Sequence, residues 1–109
     1  LKVLQESPQW KNMVVVVTVD ENGGWWDPVA PPKGDRWGPG TRIPAIVVSP
    51  FARKGTVDHT VYDTASILRL ITRVFQLETL DGLKQRDDAM TARGQKPMGD
   101  LSNALQFSL

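Results

Sequence analysis

Met13-Val14-Val15-Val16-Val17-Thr18-Val19-Asp20-Glu21-Asn22-Gly23-Gly24 is the stretch that decides the fold. Its valines and threonine are β-branched, and the crowded Cβ favours extended backbone. The run is apolar without alternation, the pattern of a strand buried on both faces of a parallel sheet. It breaks on two carboxylates followed by two glycines, so the strand gives way to a turn at Asp20-Glu21. Ligand sites in open α/β sheets lie at the carboxyl ends of strands, which puts Asp20 and Glu21 where chemistry is expected.

Working outward, Ile43-Pro44-Ala45-Ile46-Val47-Val48 reads as a second buried strand, with Pro44 tolerated because the first residues of a strand can spare a ladder donor. Between the two runs, nine of the eighteen residues 23–40 are Gly or Pro, and Trp25, Trp26 and Trp37 lie among them. That density of breakers forbids a regular element, and a loop so long is more often functional than slack. After the second strand, Asp63 or Thr64 can cap a helix in which Ile67, Leu70, Ile71 and Val74 form one stripe. Leu68 and Phe75 widen that stripe, while Arg69, Thr72 and Arg73 are expected to face away. Beyond Leu77 the periodicity fades, and Asp87, Asp88, Arg93, Gly94, Gln95, Lys96 and Pro97 predict a solvated connection before an apolar tail from Leu101 to Phe107. At the other end, Leu1, Val3 and Leu4 predict the last turns of a helix stopped by Pro8. A chain that opens inside a helix and without Met is expected to be a piece of something longer.

Composition narrows the function classes. In 109 residues, 13 Lys and Arg oppose 12 Asp and Glu with the signs mixed, so no electrostatic footprint for a polyanion forms and nucleic acid is not an expected partner. Without cysteine there is neither a disulfide framework nor a thiolate metal site. The apolar runs at 13–17 and 45–48 fall far short of the roughly 20 residues of a membrane helix.

Two adjacent carboxylates repel by about 4 kcal/mol at ~4 Å and an effective dielectric near 20, a cost that a divalent cation between them reverses. Asp20-Glu21 before Gly23-Gly24 is equally what a solvated turn carries. His59 is the single histidine and sits in Val57-Asp58-His59-Thr60, between the second strand and the helix. Asp58 could orient one ring nitrogen while the other faces the ligand crevice, or His59 could be a structural pin at the helix entrance. The tryptophan loop reads either as an aromatic pocket wall or as a small cluster packed under the loop. The sequence has no phosphate-binding glycine loop, no serine at a nucleophile elbow and no paired histidines at helical spacing.

Taken together, Val16-Val17-Thr18-Val19-Asp20-Glu21-Asn22-Gly23-Gly24-Trp25-Trp26-Asp27, Trp37-Gly38-Pro39-Gly40-Thr41-Arg42-Ile43-Pro44, Ser49-Pro50-Phe51-Ala52 and Val57-Asp58-His59-Thr60-Val61-Tyr62-Asp63-Thr64-Ala65-Ser66-Ile67-Leu68-Arg69 resemble, in order and spacing, the C-terminal part of the bacterial phosphoesterase family of acid phosphatases and phospholipases C. The resemblance implies an α/β fold like that of alkaline phosphatase, of which this chain would be a C-terminal fragment: a mostly parallel sheet flanked by helices. It implies that Asp20 and Glu21 bind a divalent metal ion and that His59 is catalytic, contacting the phosphate or its metal. The nucleophile and remaining ligands would lie in the missing N-terminal portion of the same protein, leaving the fragment alone inactive. Asn22, and Pro28 after Asp27, stand where many members carry His, so any contribution of those histidines is absent. Asn22 with Trp25-Trp26 points to the acid phosphatase branch and a small phosphorylated substrate, with phospholipase C as the alternative. The resemblance also implies a periplasmic or secreted whole protein. A reading of a different class is a non-catalytic module that self-associates through its unpaired sheet edges.

Overall fold

The computed structural model describes residues 1–106. A short helix α1, Lys2–Gln5, and a 3-10 turn, Trp10–Asn12, lead into strand β1, Val15–Thr18. Strand β2, Ala45–Val48, pairs with it, and helices α2, Ala65–Val74, and α3, Asp81–Thr91, follow. A second 3-10 turn, Ser102–Ala104, closes the described chain, and the end of the expected tail, Phe107, lies outside it.

Both strands form where the β-branched runs expect them, but they pair antiparallel, Val15 opposite Val48 and Thr18 opposite Ala45. The parallel arrangement is therefore not met among the described residues. A parallel return needs a crossover, usually a helix, whereas residues 19–44 fold back on themselves through Asn22–Thr41 and Asp27–Arg42 contacts and deliver β2 beside β1 head to tail. Burial on two faces is not met either. Val16 and Val47 share the face that packs on the core, whereas Val17 and Ile46, opposite each other on the second face, are 53% and 60% exposed.

The core is small: Leu70 from α2 meets Leu101 and Leu105, with Val14, Phe51, Tyr62 and Ile67 around them. Leu105 forms a bridge with Ala52, which ties the apolar tail to the chain after β2. Helix α2 is where the periodicity predicts it, and Ser66 replaces a side-chain bond from Thr64 at its entrance: the Asp63 N–H donates to Ser66 Oγ at 3.0 Å.

The expected facing of α2 is only half right. Ile67 and Leu70 turn inward, but Leu68, Ile71, Val74 and Phe75 are exposed. Arg69, expected outside, lies half-buried against α3, where it grips the Asp87 carboxylate through both terminal nitrogens at 2.7 Å. Arg73 reaches Asp100 at 2.8 Å. The Asp87 carboxylate thus draws Arg69 inward, because a partly buried fork-to-carboxylate pair satisfies both groups at once, whereas Arg73 stays exposed as expected.

Helix α3 takes up Asp87 and Asp88 from the expected solvated connection, while Arg93, Gly94, Lys96 and Pro97 lie beyond it in an exposed, non-helical stretch. Its inward face is Leu83, Arg86, Asp87 and Met90, at the i, i+3, i+4, i+7 spacing of one helical side. Leu83 and Met90 are buried, and the two charged positions are those that Asp35, Asp63 and Arg69 neutralise.

Candidate functional site

The turn after β1 is built by its own polar side chains. Asp20 Oδ1 accepts from the N–H of Glu21 at 3.1 Å, and Glu21 Oε2 accepts from the N–H of Gly23 at 2.9 Å. Gly23 and Gly24 then take φ of 64° and 80°, which glycine adopts without the Cβ penalty of other residues. Asn22 spans the loop, donating to Thr41 Oγ1 at 2.7 Å and to the Trp25 carbonyl at 2.9 Å.

Farther along, Asp27 latches the two limbs together. Its carboxylate accepts from Arg42 Nε at 2.9 Å, from the Arg42 terminal nitrogen at 2.8 Å, and from the N–H of Val29 at 2.9 Å. The Arg42 bonds hold its pKa down to about 2. Both Asp20 and Glu21 line a cavity of about 540 Å³ whose other walls include Trp37, Thr41, Tyr62 and Arg86. The site is therefore assembled from the β1 turn, the returning loop limb, the entrance of α2 and one face of α3.

Asp20 and Glu21 are exposed hard-oxygen donors of the kind that hard divalent cations take. Each spends one oxygen on the local turn and keeps the other, so the pair fits such an ion as two ligands of a larger shell. Among the described residues no cluster of three or more His, Cys, Asp or Glu forms a complete site.

His59 lies elsewhere. It is exposed and opens onto an adjoining cavity of about 660 Å³ with Met90, Lys96 and Asn103, which shares the wall of Pro32, Val61 and Met98 with the carboxylate cavity. Asp58 is not its orienting partner: the Asp58 carboxylate accepts from the Thr60 N–H at 2.9 Å and from the Tyr62 hydroxyl. Those bonds, Tyr62 first, lower the Asp58 pKa. Partial burial, reinforced by the Asp58 charge, pushes the Tyr62 phenol up to about 12.

The tryptophans neither line one wall nor pack together. Trp37 borders the carboxylate cavity, with Arg36 stacked 4.3 Å from its ring centroid, while Trp25 and Trp26 border the groove beside Pro28 and are more than 80% exposed. Sequence reasoning missed Arg86 altogether. The signal available was its place between Leu83 and Met90 on one helical face, obscured because half of that face is charged.

A Phosphoesterase family model matches residues 1–78. Non-specific phospholipase C1 of Arabidopsis thaliana is 32% identical over 72% of this chain and 19% of its own length. Non-hemolytic phospholipase C of Burkholderia pseudomallei is 30% identical over 99% of the chain and 19% of its own, and phospholipase C B of Mycobacterium tuberculosis 27% over 99% and 24%. The chain thus spans about a fifth of the length of these curated relatives. No solved structure matches it. These relatives carry phospholipase names, so the acid phosphatase expected from Asn22 and Trp25-Trp26 finds no support among them. With the Asp-Glu strand end, the Gly/Pro/Trp loop and the Asp-His-Thr segment all inside the matched span, the chain belongs to the phosphoesterase family.

Proposed function

We propose that the chain is the carboxyl-terminal portion of a larger phosphoesterase domain and acts on phosphodiester headgroups of phospholipids. The observation that carries this reading is the match of the whole chain to phospholipases C, with Asp20 and Glu21 together on one cavity rim. In it, Asp20 and Glu21 are two ligands of a divalent metal ion, which when bound supplies charge neutralisation at a phosphoryl oxygen. The unspent carboxylate oxygens hold it, Asn22 and Gly23-Gly24 fix the turn that aims them, and the Asp27–Arg42 latch keeps the loop from spreading. His59 contacts the leaving-group side from the adjoining cavity. The remaining ligands and the nucleophile come from the rest of the protein. That portion also covers the exposed faces of β1, β2 and α2 and completes a mostly parallel sheet, and the whole protein is periplasmic or secreted.

The test uses the whole protein with a chromogenic phosphodiester and the matching phosphomonoester. Asp20→Asn and Glu21→Gln are expected to lower bound divalent metal and to reduce turnover at least about a hundredfold, some 2.7 kcal/mol of transition-state stabilisation. His59→Gln is expected to lose at least tenfold with thermal stability unchanged. Full metal content in both carboxylate variants would remove Asp20 and Glu21 from the site. A wild type faster on the monoester would return the acid phosphatase reading.

A further inference from the structure

The loop segment 34–40, which carries Trp37 and Pro39 into the wall of the carboxylate cavity, has little structure of its own. Its internal bonds are the Trp37 N–H to Asp35 Oδ1 at 2.8 Å and a long contact from the Gly38 N–H to the Asp35 carbonyl at 3.5 Å. Two arginines from outside the family-matched span hold it. Arg86, on α3, places Nε 2.6 Å from Asp35 Oδ2 and a terminal nitrogen 3.3 Å from Asp63 Oδ2 at the entrance of α2. Arg93, just after α3, donates to the Gly34 carbonyl.

We propose that Arg86 and Arg93 are positioning residues that clamp segment 34–40 as one wall of the carboxylate cavity and thereby set which headgroup the cavity accepts. The specificity half rests on the phosphoesterase reading above; the clamp itself does not. The Arg86 fork bridges two walls, the loop through Asp35 and the α2 entrance through Asp63, a span for which a planar guanidinium has separate donors and an ammonium only a point charge. Arg86 is 16% exposed, and its partners are 21% and 9% exposed, so the contacts are shielded from water on both sides. The Asp35 carboxyl is correspondingly held below its usual pKa, first by the Arg86 bond and then by the Trp37 N–H. Gly34 lets the loop come this close: a Cβ there would lie 2.3 Å from the Gly38 carbonyl oxygen and 3.2 Å from Arg86 Cδ. With the clamp formed, α3 fixes the distance between Trp37 and the Asp20-Glu21 rim.

The test compares Arg86→Gln, Arg93→Gln and Asp35→Asn in the whole protein, the last preserving side-chain size should an arginine variant fold poorly. Lys84→Gln, on the exposed side of α3, is the control. The first readout is backbone hydrogen exchange, expected to rise at least tenfold at 34–40 and to stay at the wild-type rate in β1 and β2. The second is the ratio of kcat/KM for a bulky phosphodiester headgroup to that for a small one, expected to shift at least fivefold in the three variants and not in the control. Unchanged exchange at 34–40 overturns the clamp, as does an equal rise in the strands, which would mean that the arginines support only global stability. Local loosening with an unchanged ratio overturns the specificity assignment. If the wild type hydrolyses no phosphoester, the functional reading fails while exchange still decides the clamp.

Discussion

Replacing Asp87 by Asn should be the most damaging polar change in the helical half of the chain. The Arg69 side chain is 10% exposed, its two terminal nitrogens are both spent on Asp87 at 2.7 Å, and its Nε has no partner. Neutralising Asp87 leaves a buried guanidinium without a counter-charge, and breaking one side of such a pair costs about 3 kcal/mol. The reverse change is milder. Arg69→Met keeps the apolar stem and leaves Asp87, 28% exposed, able to recruit water, so about 1.5 kcal/mol is expected. Removing both charges in Arg69→Met/Asp87→Asn should return stability to within about 1 kcal/mol of wild type, because a desolvated pair gains little over neutral groups that leave no charge unpaired. The cycle then yields an interaction energy of at least about 3.5 kcal/mol. Urea unfolding of the four proteins at neutral pH, with the slope checked for constancy, measures it. An Asp87→Asn midpoint within about 0.5 kcal/mol of wild type, or strictly additive single effects, would refute the burial argument.

Two titrations test the loop anchors. Asp27 has a folded pKa of about 2 against 3.8, so the folded chain binds this proton more weakly than the unfolded one, and the latch contributes fully above 3.8 and is lost as pH falls through about 2. The carboxyl carbon signal of Asp27 should stay flat down to about pH 3; a midpoint near 3.8 would show that Arg42 does not hold it. Tyr62 is the single tyrosine, so the ultraviolet absorbance of phenolate reports it alone. Its folded pKa is raised, so its contribution to stability is complete below 10 and disappears as pH rises from there through about 12, and ionisation of the folded chain near 10 would contradict its partial burial beside Asp58.

The sequence by itself determined the local elements whose cause is local. β-branching made the two strands, the apolar spacing of Ile67 and Leu70 made α2, and Gly23-Gly24 made the turn that presents Asp20 and Glu21. The same residues carried the family, because order and spacing of motifs are properties of the chain. What required the tertiary structure was every choice between two surfaces. The strands run antiparallel because Asn22, Thr41, Asp27 and Arg42 fold the loop back, contacts between residues 15 and more apart. Helix α3 was hidden because two of the four residues on its inward face are charged, and a charge reads as solvent-facing until its partner is known. Arg69 and Arg86 turn inward only because Asp87, Asp35 and Asp63 wait there, and His59 opens onto its own cavity because Asp58 is taken by Tyr62 and Thr60. Hydrophobic periodicity says which side of an element dislikes water; which ion meets which counter-ion depends on distances that the folded chain alone sets.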